Sequence, residues 1–161
     1  MKTLILTRHG KSSWEHDLPN KKRPLKTRGI NDAHLVSNEF KTKLIRLDLV
    51  LSSPAVRAFS TCEIFLKNLE ISDESVKVNE DLYDFQGEKL IKVIKNLDNN
   101  YDNVMIFGHN HAFTSICNIF GNRFIENLPT TGLAIIQFDC KSWQDIKNGQ
   151  TIATIYPKDL K

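Results

Sequence analysis

The sequence predicts an α/β fold, a single three-layer α/β/α domain over residues 1–161 with a mostly parallel sheet. Short apolar runs that end in turn signals alternate with stretches whose apolar residues recur every three to four positions. Such alternation is typical of parallel strands with helices packed against them. The length of 161 residues suits one domain with a hydrophobic core and is short for two.

The composition is that of an ordinary globular protein and excludes several functional classes. Lys plus Arg total 22 and Asp plus Glu total 19, and the net charge of +3 is too small to predict a nucleic-acid surface. No apolar run approaches the roughly 18 residues of a membrane helix, and the N-terminus lacks a signal-peptide pattern. Three cysteines without metal-ligand spacing favour a reducing compartment. We therefore expect a cytoplasmic protein that binds neither nucleic acid nor membrane and, without an oligomerisation signal, a monomer.

The first predicted strand ends in a cationic pair. Its apolar residues, Leu4 to Leu6, are followed closely by Arg8, His9 and Gly10. Ligand sites in open α/β sheets gather at the carboxyl ends of strands, and a glycine there lets the backbone turn close to a ligand. An arginine and a histidine at this position suit an anionic ligand.

A helix is predicted next, with Thr27 as its cap and Gly29 as a mild weakness in its first turn. The second strand, residues 47–51, then runs into another helix, which Ser53 is expected to cap and Pro54 to begin. Arg57 falls in the first turn of that helix, where its charge opposes the positive end of the helix dipole. A cation in this unfavourable position suggests a bound anion that compensates it.

The third predicted strand, residues 104–107, ends in Gly108 and His109. The helix that follows has apolar residues at i, i+3, i+4 and i+7, and Gly121 is placed to terminate it. The remaining predicted elements are a short extended piece at 76–78, a helix at about 90–97, and strands at 133–138 and 151–155.

Three strand exits with cationic or polar residues define a candidate site. Parallel strands share one carboxyl edge, so two arginines and two histidines converge there: Arg8, His9, Arg57 and His109. Arginine forks bind phosphoryl oxygens in bidentate fashion. Neighbouring cations also disfavour the charged form of a histidine, which keeps its imidazole neutral and able to attack phosphorus.

The motifs at these exits resemble those of a known family. Residues 7–11 (TRHGK), 51–58 (LSSPAVRA) and 108–110 (GHN) are similar, in this order, to the three motifs of the histidine phosphatase superfamily, which has the phosphoglycerate-mutase-like fold. Further stretches resemble the small SixA-type phosphohistidine phosphatases: residues 11–14 (KSSW), 23–25 (RPL), 81–84 (DLYD), 128–130 (LPT) and 157–160 (PKDL).

The resemblance implies a function and roles for individual residues. His9 is then the nucleophile that becomes phosphohistidine, and Arg8, Arg57 and His109 bind phosphoryl oxygens, with His109 adding positive charge if it is protonated. It implies no metal and no cofactor, and a phosphohistidine on a protein as substrate. Two alternatives stay open, namely a small-molecule phosphomonoesterase of the same superfamily and a phosphate-binding module without catalysis.

The resemblance leaves the general acid open. Asp84 follows Leu82 at the spacing at which larger family members place their acid, with Asp81 and Glu80 nearby as alternatives. Asp84 could equally be an aspartate that caps a loop. An imidazole leaving group needs less help from an acid than an alkoxide does, so the site could also work without one.

Residues beside the motifs are expected to bind substrate: Lys11, Ser12, Trp14 and Asn110. His16 is a further candidate contact in the loop after the first strand, because loops beside a site often carry function. The alternative for Trp14 is that it anchors this loop on the body of the protein. A minor alternative for His109 and His111, two residues apart, is a metal site, although no carboxylate or cysteine accompanies them at ligand spacing.

Overall fold

The computed structural model describes residues 1–15 and 17–161 of the chain. Strands and helices alternate over most of this length. The elements, in chain order, are β1 (Lys2–Arg8), α1 (Thr27–Lys41), β2 (Leu49–Ser52), α2 (Val56–Asn68), β3 (Val76–Val78), α3 (Glu88–Lys95), β4 (Asn103–Gly108), α4 (Ala112–Phe120), β5 (Leu133–Phe138) and β6 (Gln150–Ile155). None of the helices in the described ranges is long and apolar enough to cross a membrane.

The six strands form one sheet in the order β3-β2-β4-β1-β5-β6. The first four strands in this order pair in parallel, whereas β5 runs antiparallel to both β1 and β6. The neighbours β2, β4 and β1 therefore end at the same edge, with Arg8 opposite Gly108 and Ser52 opposite Phe107. This arrangement confirms the mostly parallel sheet and the shared edge of the three strand exits.

Helices cover both faces of the sheet, because the side chains of a strand point alternately to its two faces. Leu4 and Leu6 of β1 belong to a core cluster that includes residues of α3 and α4. Ile5, between them, belongs to a second cluster with residues of α1 and α2. The three-layer α/β/α architecture predicted from the sequence is therefore confirmed.

Two of the predicted helix caps are wrong. Thr27 is the first residue of α1, and the residue before it, Lys26, makes no side-chain capping bond. Helix α2 begins at Val56 rather than at Pro54, because the chain turns around Ser53 before the helix starts. The Ser53 hydroxyl accepts the Ala55 N–H at 3.2 Å and also lies 2.8 Å from His109 Nε2. The serine therefore joins the helix entry to the candidate site instead of capping the helix.

Gly29 is needed where α1 packs against the chain that leaves β1. A Cβ atom at this position would lie 2.4 Å from the carbonyl oxygen of Lys11 and 2.9 Å from its nitrogen. Gly10 is less tight but still close, since a Cβ there would lie 3.0 Å from the Gly29 oxygen. The glycine that looked like a weakness in the helix sequence thus permits close packing beside His9.

We expect Gly29→Ala to destabilise the protein by roughly 1–3 kcal/mol, because the added methyl group forces backbone atoms apart in a packed region. Asn31→Ala, at an exposed position of the same helix, is the matched control and should change stability little. Urea denaturation of both variants measures the difference. Equal stability of Gly29→Ala and the wild type would contradict the close packing.

Candidate active site

Two histidines lie side by side at the carboxyl edge of the sheet. His9 follows β1 and donates its backbone N–H to the Gly108 carbonyl at 3.1 Å, which ties the two strand exits together. His109 follows β4, and the centroids of the two imidazole rings are 5.3 Å apart. His9 is 8% exposed and His109 is fully buried, so both rings are largely withdrawn from water.

The contacts of His9 define its tautomer. Nδ1 lies 2.7 Å from the Gly10 carbonyl oxygen, which can only accept, so Nδ1 carries the proton. Nε2 lies 3.4 Å from Nε of Arg57, which can only donate, so this nitrogen keeps its lone pair. Both contacts therefore give the same result, a neutral imidazole whose Nε2 is free to act as a nucleophile.

Burial is the main reason that His9 is neutral. The pKa of His9 is lowered to about 3, with burial as the largest cause; the bond to Gly10 acts in the opposite direction, and the charges of Arg57, Arg8 and Arg23 add to the lowering. The sequence suggested the cations as the cause of neutrality. The structure adds the larger effect, which is the loss of water around the ring.

His109 is also neutral. Burial lowers its pKa to about 2, with further contributions from His9, Arg57 and Arg8. Burial therefore disfavours the protonated His109 that the sequence left open, and phosphate binding by His109 stays a prediction. Its Nδ1 lies 3.5 Å from Arg57 Nη2, which can only donate, so Nδ1 carries no proton. The proton is therefore on Nε2, which donates to Ser53 Oγ at 2.8 Å.

Aromatic rings enclose His109 on the side of the loop that precedes α3. The rings of Tyr83 and Phe85 lie 5.3 Å and 4.9 Å from its imidazole, centroid to centroid, and 5.0 Å from each other. Both aromatic residues were absent from the predicted site. Their sequence neighbourhood is rich in acids and aromatics, but nothing in it indicates packing against a histidine 24 or more positions away.

Arg57 links both histidines to a distant loop. Its side chain is 2% exposed, and besides the two imidazole contacts its Nη1 donates to the Asn20 carbonyl at 2.6 Å. The Asn20 side chain in turn donates to the Tyr83 hydroxyl at 2.6 Å. The backbone and the side chain of Asn20 thus both hold the loop that follows β1 next to the guanidinium group.

Arg8 is held in a corresponding way from the other side of the site. Its Nη1 donates to the Leu128 carbonyl at 2.9 Å, and its buried Nε has no acceptor among the described residues. The Leu128 backbone is fixed in turn, because its N–H donates to Thr114 Oγ1 at 3.0 Å and its carbonyl also accepts from Asn110 Nδ2 at 3.3 Å. This buried Nε–H is therefore a donor for which the described residues supply no acceptor.

Arg23 is a third arginine that was not predicted as a site residue. It is only 6% exposed, and its charge lowers the pKa of both His9 and Arg57. Its Nη1 donates to Ser12 Oγ at 2.8 Å and its Nε to Asn20 Oδ1 at 3.2 Å. A sequence signal existed in the basic triplet of residues 21–23, but local sequence does not show that this loop folds back onto the site.

The structure gives Trp14 a clear anchor. Its ring stacks on the Arg23 guanidinium, with Cζ 3.4 Å from the ring centroid, although 73% of the residue is exposed. This contact supports the anchoring alternative, and substrate binding by Trp14 stays a prediction. So does substrate binding by Lys11, whose side chain is exposed. His16 lies outside the described residues.

Asn110 and Ser12 are both engaged inside the protein. Asn110 Oδ1 accepts from the N–H and the hydroxyl of Thr114 at 3.1 and 2.8 Å, which caps α4, and Ser12 accepts from Arg23. Their predicted contacts with substrate stay predictions. The contacts that the structure gives them serve instead to hold Arg8 and Arg23.

The carboxylate of Asp84 caps the loop before α3. Oδ1 accepts the Gln86 N–H at 3.2 Å, and Oδ2 accepts those of Gly87 and Leu90 at 3.1 and 3.0 Å. This geometry favours the capping alternative over the general acid. Of the other candidates, Glu80 pairs with Lys21 at 2.7 Å and Asp81 is exposed.

His109 and His111 lie in different surroundings. His109 is fully buried among the site residues, whereas His111 is exposed at the residue before α4. Among residues 1–15 and 17–161, no three histidine, cysteine, aspartate or glutamate side chains are grouped so that they could hold a metal ion. The structure offers no support for pairing these two histidines as ligands.

These groups define a class of site, a largely buried cluster in which cationic side chains lie beside a neutral imidazole with a free nitrogen, a chemistry that suits an oxyanion. The family model of the histidine phosphatase superfamily (branch 1) matches residues 4–87, a stretch that ends shortly after Asp84. The chain belongs to this superfamily, as its motifs predicted.

Individual relatives agree with this membership. An uncharacterized protein of Mycobacterium tuberculosis is 27% identical over 152 residues, which cover 88% of this chain and 92% of that protein. The phosphoglycerate mutase of Schizosaccharomyces pombe is 38% identical over 93 residues, 52% of this chain and 44% of that enzyme. Together with the family, these relatives indicate an enzyme of phosphatase or mutase type.

Two solved structures have the same fold over nearly their whole length. The SixA protein of Agrobacterium tumefaciens superposes with a TM-score of 0.82 at 21% identity, covering 97% of this chain and 98% of its own. The protein histidine phosphatase SixA in complex with tungstate superposes with a TM-score of 0.79 at 20% identity, covering 99% of both chains. The SixA-type fold predicted from the sequence is confirmed.

The neutral state of both histidines predicts a pH-dependent stability. A histidine whose pKa is lower in the folded state binds fewer protons there than in the unfolded state, so acid favours unfolding from about pH 6.5 downward. Between pH 7.5 and 5.5, His9 and His109 should each reduce the free energy of unfolding by about 1.4 kcal/mol. Urea denaturation at the two pH values measures this, and His109→Asn should remove about half of the loss. If the free energy of unfolding depends on pH in the same way in His109→Asn and in the wild type, the lowered pKa of His109 is contradicted.

The two roles of Asp84 predict opposite results for Asp84→Asn. The single oxygen of an asparagine can still accept the Gly87 and Leu90 N–H bonds, although the bond to Gln86 is lost, and an asparagine cannot donate a carboxyl proton, so a capping residue should retain activity within a few-fold. Loss of a general acid would instead reduce kcat by roughly 100-fold or more. Asp84→Ala is the companion variant, expected to lose about 1 kcal/mol of stability with the cap. Steady-state kinetics and urea denaturation of both variants separate the two roles.

Proposed function

We propose that this protein is a metal-independent phosphatase that acts through a covalent phosphohistidine at His9, with a phosphohistidine on another protein as its substrate. The observation that supports this most directly is the unprotonated Nε2 of His9, which lies near several arginines and 3.4 Å from Arg57 Nε. A nucleophile and the cations that attract a phosphoryl group are then next to each other before the substrate arrives.

In the first step, Nε2 of His9 attacks phosphorus and a new N–P bond forms. The bond between phosphorus and the substrate imidazole breaks, and its electron pair goes to the leaving imidazole. That imidazole departs neutral when its other nitrogen already carries a proton, so this step needs no carboxylic acid. The capping geometry of Asp84 is compatible with such a substrate.

In the second step, a water oxygen bonds to phosphorus and the Nε2–P bond breaks, returning its electron pair to His9. One water proton goes to solvent, and inorganic phosphate leaves. Splitting the displacement in this way replaces one difficult step with two easier ones. The Nδ1–H bond to Gly10 keeps the imidazole in the same tautomer for both steps.

The arginines supply electrostatic stabilisation in both steps. The positively charged guanidinium groups of Arg8 and Arg57 can donate hydrogen bonds to the negatively charged phosphoryl oxygens. Bonds to the Leu128 and Asn20 carbonyls fix the positions of these two arginines before substrate binds. The likeness to a SixA structure that holds tungstate, a tetrahedral oxyanion like phosphate, supports the same use of this pocket.

The first measurement is hydrolysis of a phosphohistidine peptide and of p-nitrophenyl phosphate, with and without EDTA. We expect the wild type to turn over the peptide, EDTA to have no effect, and His9→Ala to lose roughly 1,000-fold or more in kcat because the nucleophile is gone. His34→Ala, which removes an exposed histidine of α1, is the matched control and should retain full activity.

Other outcomes would favour the alternatives. Faster turnover of small phosphomonoesters than of the peptide would favour a small-molecule phosphatase of the same superfamily. Phosphate binding without turnover of either substrate would favour a binding module, and loss of activity in EDTA would contradict a metal-independent reaction.

A further inference from the structure

The peptide that joins His9 to Gly10 is held by a side chain of another element. The Gly10 N–H donates to Thr61 Oγ1 at 2.9 Å, in a fully buried contact between residues 51 positions apart. The Thr61 hydroxyl donates in turn to the Arg57 carbonyl at 2.8 Å, one helical turn earlier in α2. Both hydrogen-bonding functions of this hydroxyl are therefore used at the site, although Thr61 itself contacts no substrate atom in the proposed reaction.

Gly10 needs such a contact because it holds the imidazole of His9. Its carbonyl accepts the Nδ1–H at 2.7 Å and so determines which nitrogen of His9 is free. Thr61 holds the peptide before the Gly10 Cα, and the carbonyl lies in the peptide after it. A glycine has no Cβ to restrict its backbone, so loss of the Thr61 bond frees the Gly10 Cα to shift and carry the carbonyl away from the ring. Thr131 supports the same peptide through its backbone N–H, which bonds to the His9 carbonyl at 3.0 Å.

Thr61 also connects the backbone next to His9 with the helix that carries Arg57. Arg57 and Thr61 share α2, whereas His9 and Gly10 follow β1, and the Thr61 hydroxyl is bonded to both segments. Thr61 thereby connects the backbone at the nucleophile to the helix that carries Arg57, whose Nε lies 3.4 Å from His9 Nε2.

We propose that Thr61 is a positioning residue of the active site, which fixes the tautomer and orientation of His9 through the backbone of Gly10. This inference rests on the proposed function in one respect, the use of His9 Nε2 as the nucleophile. Displacing a reacting group by about 1 Å reduces rates by roughly 100-fold, so loss of the contact affects kcat more than KM.

The test compares Thr61→Val, which keeps the shape but loses the hydroxyl, with Thr61→Ser, which keeps the hydroxyl. With the phosphohistidine peptide we expect Thr61→Val to lose roughly 10- to 100-fold in kcat with little change in KM, and Thr61→Ser to retain most of the activity. Thr151→Val is the matched control. Thr151 is buried in β6, outside the candidate site, and its hydroxyl accepts the Asn122 N–H at a distance of 3.2 Å. It should lose stability but not kcat.

A spectroscopic readout distinguishes positioning from a general loss of stability. In the wild type, 15N NMR of His9 at pH 7 should show one protonated nitrogen, Nδ1, and one unprotonated nitrogen, Nε2. Thr61→Val should shift both signals towards the average of two exchanging tautomers, whereas Thr61→Ser and Thr151→Val should not. Should Thr61→Val fail to fold, Thr61→Ala and Thr61→Ser provide the same comparison.

The outcomes separate this inference from the proposed function. If the wild type is active but Thr61→Val matches it in kcat, or loses kcat with unchanged His9 signals, the positioning role is wrong and the phosphatase stands. If the wild type is inactive, the proposed function fails, and the 15N signals alone decide whether Thr61 fixes the His9 tautomer.

Discussion

The burial of positively charged arginines beside two imidazoles is the constraint on which the rest of this site depends. A buried charge is tolerated when acceptors surround it, and here backbone carbonyls of loops distant in sequence supply them. Arg57 donates to the Asn20 carbonyl and Arg8 to that of Leu128. The two loops therefore stabilise cations that the sheet edge brings together, and leave donors free for an anion.

The same burial explains why the histidines differ from ordinary surface histidines. Removal of water disfavours the protonated ring, and nearby guanidinium groups add to that effect, so His9 and His109 stay neutral at physiological pH. Neutrality is what a nucleophilic imidazole requires. In the proposed reaction, a phosphoryl group meets arginine charge and a nitrogen lone pair, and both are positioned by bonds already present in the protein.

Polar side chains next to the motifs mostly serve the framework. Asp84 satisfies the N–H groups before α3, and Asn110 those at the start of α4, because helix N-termini leave backbone donors without partners. Gly29 has a related role, since its missing side chain lets α1 approach the chain beside His9. Proximity in sequence to a motif is thus a weaker guide to chemistry than the hydrogen bonds of each group.

The sequence by itself determined the three-layer α/β/α fold and the meeting of Arg8, His9, Arg57 and His109, because periodicity locates the strands and parallel strands share one carboxyl edge. Only the tertiary structure decided the neutral state of His109, the cap made by Asp84, and the contacts of Arg23 and Thr61. These depend on burial and on contacts between segments far apart in the chain, such as Gly10 with Thr61. Local patterns record which face of an element is apolar, and they carry no information on which distant carbonyl or hydroxyl completes a hydrogen bond.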